Sequence, residues 1–345
     1  MLKNLLILII ILIIVQSMTL YMPEIGWLYL TQSILIIAWL VALIIGWDRL
    51  VDGAVAIAHH YGVSPLLIGL TVVAMGTSMP ELFVNIIAAL RNESGLLVAN
   101  IIGSNISNLL FIGGSASIIT PLLVGENTLK KEIPISFGAS LLLLALVIVI
   151  SPWFLSRGEA ILLLAWFFGF VRYVFGQFQK QTTMNTQVEE HLTAQELLLS
   201  SLLVLWWVWW LYVWWNTLVE AATTMAQAAW RSTVLIGASI VAVWTSVPEL
   251  VTSVIAALRR QADLAIGNII GSNIFNILWI GSITSLVRPT EIPMIVSQDI
   301  LFLMGITILL FLVVYFNKNK SLTRPIWILF VAMYIGYIVF LVWRG

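Results

Sequence analysis

Residues 69–108 read GLTVVAMGTSMPELFVNIIAALRNESGLLVANIIGSNISN, and residues 237–276 read GASIVAVWTSVPELVTSVIAALRRQADLAIGNIIGSNIFN. Aligned without a gap at an offset of 168, the two stretches are identical at 22 of 40 positions. Shared hydrophobicity does not produce such a match, because the identities include Thr, Ser, Pro, Glu, Arg, Gly and Asn. The chain therefore contains one unit twice, an organisation common among membrane bundles. The same offset carries Leu50, Val51 and Asp52 onto Leu218, Val219 and Glu220, so the unit begins one helix before the quoted stretch.

Composition places both units in a bilayer. The chain of 345 residues is 61% hydrophobic and only 9% charged, with a mean hydropathy of +1.05. Spanning the hydrocarbon takes roughly 20 apolar residues per helix. Such segments run near 28–60, 63–91, 95–119, 133–151 and 156–176 in the first half, and near 197–230, 233–259, 263–286, 296–316 and 322–343 in the second. An odd number of spans per half makes the second unit enter the membrane upside down. The expected fold is thus an all-α integral membrane protein, a ten-helix bundle of two inverted five-helix repeats, multi-pass in the cell membrane. The repeats occupy 27–176 and 197–345, joined by a cytoplasmic linker at 177–196. Residues 1–26 form an additional hydrophobic segment. Its apolar run from Leu5 to Tyr21 exceeds the usual h-region of a signal peptide and ends without a small-x-small cleavage site, so it reads as an extra N-terminal span or a signal anchor.

Charge asymmetry agrees with this orientation. With the linker inside, the inner loops collect Lys130, Lys131, Lys180, Arg259, Arg260, Lys318, Lys320 and Arg324, against Arg91, Arg157, Arg231, Arg288 and Arg344 outside. The balance of 16 basic and 16 acidic residues, without a large basic cluster, excludes nucleic acid as a partner. The partners expected are lipid and small cations, with the chain acting as a monomer. The absence of cysteine removes disulfides, thiolate metal sites and thiol nucleophiles. No HExxH, GxSxG or paired-aspartate motif occurs, so enzymatic chemistry is not expected and no cofactor is implied.

Glu81 and Glu249 lie deep in apolar segments, where an ionisable side chain costs about 2.5 to 3.5 kcal/mol on insertion scales. Neither has a basic residue within one helical turn, so a bound cation or a proton is its natural partner. Each follows a proline, in Thr77-Ser78-Met79-Pro80-Glu81 and Thr245-Ser246-Val247-Pro248-Glu249. Proline removes a backbone donor and clashes with the preceding turn, so a break is expected there. In lipid such a break is tolerated where the freed carbonyls, here those of residues 74–77 and 242–245, face protein, a cavity or an ion. Carboxylates, hydroxyls and carbonyls together make the all-oxygen surroundings that Ca²⁺ and other hard cations select. The second element is Gly103-Ser104-Asn105-Ile106-Ser107-Asn108, repeated as Gly271-Ser272-Asn273-Ile274-Phe275-Asn276. Its Ser and later Asn, four apart, share a helix face, and its glycine admits a neighbouring helix.

These paired motifs resemble the alpha repeats of the calcium/cation antiporter superfamily, specifically its sodium/calcium exchanger branch. The resemblance spans about Asp48 to Asn108 and Asn216 to Asn276. It implies antiport of Ca²⁺ against Na⁺ by alternating access, with the first helix of each half sliding over a rigid core. It also implies Glu81 and Glu249 as central carboxylates, with Thr77, Ser78, Thr245, Ser246, Ser104, Ser272, Asn108 and Asn276 completing the shell. The carbonyls of Ala74 and Ala242 would serve flanking sodium sites. Two departures stand out. Trp244 occupies the position of Gly76 in the first repeat, and residue 276 is Asn where sodium/calcium exchangers often carry Asp. An H⁺-coupled Ca²⁺ antiporter and a nontransporting cation-binding homologue blocked by Trp244 are the alternatives. Trp206, Trp207, Trp209, Trp210, Trp214 and Trp215 read as interfacial anchors. His59, His60 and His191 carry no expected role, and Asp48, Asp52 and Glu220 are candidate attractors of cations near the sliding helices.

Overall fold

The computed structural model describes residues 63–184 and 241–344. The first helix of each half, the N-terminal segment, the three histidines, the tryptophan cluster, Asp48, Asp52 and Glu220 lie outside the described residues.

In the first half, α1 (Pro65–Thr77) and α2 (Met79–Leu90) form one span bent by 41° at Ser78. The break falls where proline forces it: Pro80 sits in the first turn of α2, where its missing N–H costs nothing. Helix α3 (Ser94–Ile119), α4 (Thr128–Ile150) and α5 (Arg157–Met184) follow. In the second half, α6 (Ala242–Thr245) and α7 (Val247–Leu258) repeat the broken span. Then come α8 (Ala262–Val287), α9 (Val296–Phe316) and α10 (Arg324–Arg344). Ser78 and Ser246 break their helices with nearly the same backbone geometry, φ −86°, ψ 5° and φ −87°, ψ 7°.

The boundaries differ from the sequence expectation at two places. Helix α4 begins at Thr128 rather than near 133, because a π turn over Thr128–Glu132 carries Lys130 and Lys131 into it. Helix α5 continues to Met184, so the first part of the stretch expected to be a linker, 177–196, is helical. Its polar residues extend the helix beyond the apolar run rather than ending it.

Two short strand pairs tie the halves together and reveal their mutual orientation. Strand β1 (Leu122–Leu123), after α3, pairs antiparallel with β4 (Ser321–Leu322), between α9 and α10. Strand β2 (Phe154–Leu155), between α4 and α5, pairs with β3 (Thr290–Glu291), after α8. Successive loops of a spanning bundle alternate sides. The loop after the third helix of one half thus shares a face with the loop after the fourth helix of the other, as two upside-down copies require.

Burial separates a core from a lipid-facing shell. Helices α3 and α8 are 89% and 94% buried over their most apolar windows, whereas α4, α5, α9 and α10 are between 22% and 39% buried. Val149, Phe175, Phe316 and Trp343 on the outer helices are exposed, as side chains bathed in lipid are. Aromatic contacts bind shell to core, with Phe111 of α3 stacked on Tyr334 of α10 and Phe167 of α5 against Phe275 and Trp279 of α8. Where α1 crosses α8 the backbones themselves meet. A Cβ added at Gly267 would lie 2.5 Å from the Leu66 carbonyl, and one at Gly271 2.9 Å from Leu70 Cα. Gly271 thus admits its neighbour as the motif suggests, and Gly69 and Gly267 do the same.

Candidate cation site

The two broken spans and the two central helices bring all twelve residues named from the motifs into the protein interior. Ala74, Thr77, Ser78, Glu81, Ser104, Asn108, Ala242, Thr245, Ser246, Glu249, Ser272 and Asn276 are each no more than 3% exposed. The bonds that join them run between the halves. Ser246 Oγ donates to Glu81 Oε1 at 3.3 Å, and Ser78 Oγ donates to Glu249 Oε1 at 3.0 Å. Thr77 Oγ1 and Ser272 Oγ are 3.4 Å apart, and Ser104 Oγ and Thr245 Oγ1 3.2 Å. Each half thus supplies hydroxyls to the other half's carboxylate.

Among the described residues, each carboxylate keeps one oxygen without a hydrogen-bond partner. Glu81 Oε2, Glu249 Oε2, Asn108 Oδ1 and Asn276 Oδ1 are buried acceptors with no hydrogen bond. Buried polar atoms of native proteins are almost always paired, and a carboxylate without a counter-ion is especially costly. Among the described residues neither glutamate is bonded to a basic side chain. These four buried oxygens, two of carboxyl groups and two of amides, fall at equivalent positions of the two repeats, and oxygens of this kind are what hard cations take as ligands.

The Ala74 and Ala242 carbonyls are less free than the proline break suggests. Ala74 O accepts the Ser78 N–H at 3.0 Å and Thr77 Oγ1 at 3.2 Å. Ala242 O accepts the Ser246 N–H at 3.1 Å and Thr245 Oγ1 at 3.2 Å. The threonines fold back onto the preceding turn and satisfy the end of each half-helix. Trp244 is half-buried and packs against the apolar core, while its neighbours Ala242 and Thr245 are fully buried. The indole therefore projects from a different face of α6 than the one that bonds across the interface.

Sequence reasoning passed over two repeat-related pairs of buried asparagines, Asn100 with Asn268 and Asn105 with Asn273, and the buried Asn85 beside them. Asn100 Oδ1 lies 3.2 Å from Thr245 Oγ1 and Asn268 Oδ1 3.1 Å from Thr77 Oγ1, so each competes with the alanine carbonyl for the single hydroxyl proton. Behind them Asn100 Nδ2 donates to Asn85 Oδ1, and Asn268 Nδ2 to Ser253 Oγ. Asn105 and Asn273 bond across the interface to the opposite asparagine motif. The available signal was identity between repeats, since each pair is Asn at both equivalent positions.

The model of the sodium/calcium exchanger protein family matches residues 31–176 and 199–343. The sodium/calcium exchanger MaX1 of Methanosarcina acetivorans is 27% identical over 347 residues, covering 88% of this chain and 96% of that protein. The inner membrane protein YrbG of Escherichia coli is 31% identical over 330 residues, covering 91% and 98%. Among solved structures, the sodium-calcium exchanger NCX_Mj soaked with 10 mM Na⁺ and zero Ca²⁺ superposes with a TM-score of 0.72 at 30% identity, covering 87% of this chain and 95% of that one. With both halves matched in order, the chain belongs to the sodium/calcium exchanger protein family, and its fold is that of a secondary transporter.

Proposed function

We propose that this protein exchanges Ca²⁺ for Na⁺ across the cell membrane by alternating access, with Glu81 and Glu249 as the central ligands. The observation that carries the reading is the pair of buried carboxylates, each held through one oxygen by a serine of the opposite half and each leaving the other oxygen unpartnered. Two negative charges balance one Ca²⁺. The hydroxyls of Thr77, Ser78, Thr245 and Ser246, with Ser104, Ser272, Asn108 and Asn276, supply neutral oxygens toward the six to eight that Ca²⁺ prefers. A Na⁺ ion at the Ala74 or Ala242 carbonyl would take the place of a threonine hydrogen bond. Few anionic ligands also suit transport, because a carried ion must leave as readily as it binds. The repeats 27–176 and 197–345 act as the two halves of the carrier. Their first helices alternate access, and the chain works as a monomer.

The test is uptake of radiolabelled calcium into proteoliposomes, driven separately by an outward Na⁺ gradient and by a pH gradient. Na⁺-driven uptake, reduced to background in Glu81→Gln and in Glu249→Gln, is the expected result. Uptake driven only by pH would reassign the coupling ion, and uptake by neither gradient would make the protein a binder rather than a carrier.

A further inference from the structure

Each central helix carries an asparagine one turn before its candidate ligand, Asn105 before Asn108 and Asn273 before Asn276. All four are buried to 1% exposure or less. Asn105 Nδ2 donates to the Asn273 carbonyl at 3.2 Å, and Asn273 Nδ2 donates to the Asn105 carbonyl at 3.3 Å. A backbone carbonyl only accepts, so each of these amides must turn its NH₂ toward it. That choice leaves Asn105 Oδ1 and Asn273 Oδ1 as acceptors, and both are used across the interface. Asn276 Nδ2 donates to Asn105 Oδ1 at 2.9 Å, and Asn108 Nδ2 donates to Asn273 Oδ1 at 3.0 Å. Asn276 and Asn108 must then point their own oxygens the other way, and those are the unpartnered Oδ1 atoms. Both carbonyls lie within one turn of a π segment, Asn108–Ile112 or Phe275–Ile280, where the helical bonding register changes.

We infer that Asn105 and Asn273 are positioning residues that fix which end of the Asn276 and Asn108 amides meets the transported cation, each acting on the ligand of the opposite half. The inference rests on the exchange reading above, since an amide oxygen needs aiming only where a cation binds. Its physical content is a sign. A primary amide presents either an oxygen, which attracts a cation, or an NH₂ group, which repels one. In water or in a loose pocket the two orientations interchange, whereas here a backbone carbonyl two bonds away decides between them. The pairing is crossed. On its own helix Asn105 lies beside Asn108, yet its oxygen holds Asn276.

Equilibrium calcium binding to the purified full chain in detergent, read as double-mutant cycles, tests this. Asn105→Leu and Asn276→Ala are each expected to raise the Ca²⁺ Kd by roughly three- to tenfold, with no further rise when they are combined. Asn105→Leu combined with Asn108→Ala should multiply the separate effects. The mirror cycle predicts that Asn273→Leu is silent in an Asn108→Ala background and multiplies with Asn276→Ala. If these asparagines only tie the helices together, Asn105 will multiply with both ligands or couple to its neighbour Asn108, and the inference is overturned. Should Asn105→Leu not fold, Asn105→Ala and the mirror cycle carry the same comparison. Failure of the exchange reading looks different: the wild-type chain then binds no Ca²⁺ at all.

Discussion

At the scale of single residues, the protein resolves an energetic conflict by symmetry. Two carboxylates are buried with no basic partner among the described residues, and each is held by a serine hydroxyl of the opposite repeat. A hydrogen bond to a charged group contributes about 1.5 to 3 kcal/mol. Ser78→Ala and Ser246→Ala are therefore each expected to weaken Ca²⁺ binding by about 10- to 100-fold, measurable by equilibrium binding of the radiolabelled ion. Unchanged affinity in both would mean that these hydroxyls do not organise the carboxylates. Trp244 gives the opposite expectation. Its side chain projects away from the face that holds Ala242 and Thr245, so Trp244→Ala should leave Ca²⁺ affinity and Na⁺-driven uptake as they are. A large gain of uptake would show that the indole obstructs the pathway. The carboxylates, threonines and serines were legible from sequence because each violates the apolar pattern at the same place twice. Asn85, Asn100, Asn105, Asn268 and Asn273 were not. Asparagine is an ordinary packing residue in membrane helices, and which neighbour each one meets here is set by the crossing of helices from opposite halves, which hydropathy does not encode.

At the scale of elements, the decisive contact is the crossing of α1 over α8. Backbone meets backbone there, so the neighbours of Gly267 and Gly271 cannot yield by changing rotamer. Gly267→Ala should destabilise the protein by about 1 to 3 kcal/mol or prevent folding, as overpacking does, with a lowered Tm in detergent as the readout. Gly305 and Gly336 on the outer helices supply the control, because an added Cβ meets nothing within 4 Å at either. Alanine there should be neutral or stabilising by about 0.5 to 1 kcal/mol. The outer pair α9 and α10 is clasped differently, by a buried ion pair between Asp299 and Arg344 at 2.6 Å. Arg344 was read from sequence as a loop charge, but it closes this pair. Removing one partner of such a pair costs about 3 to 5 kcal/mol, which predicts a marked loss of Tm in Arg344→Leu. The helix breaks at Ser78 and Ser246 were legible through proline. The early start of α4 and the long α5 were not, because a helix can run past its apolar stretch when its polar residues reach the interface.

At the scale of the whole molecule, the inverted arrangement follows from the odd number of spans and is written again in the two strand pairs. The cysteine-free chain makes it testable with single thiols. Leu123→Cys and Phe154→Cys, both at exposed positions, should react with a membrane-impermeant reagent from opposite sides, the first from the cytoplasm. Phe154 and Glu291 are directly paired, so Phe154→Cys combined with Glu291→Cys should form a disulfide on oxidation. Labelling of both single variants from one side would contradict the topology. The repeat itself disclosed this level of organisation. What it left hidden was that each half's glutamate is bonded by a serine of the other half.

If both halves build one shared site, the stoichiometry of Ca²⁺ bound to the purified protein must reveal it. One Ca²⁺ per chain is expected at saturation, displaced by Na⁺, and lost in Glu81→Gln and in Glu249→Gln alike. Two Ca²⁺ per chain, with one surviving each single substitution, would show that the repeats bind independently and would contradict it.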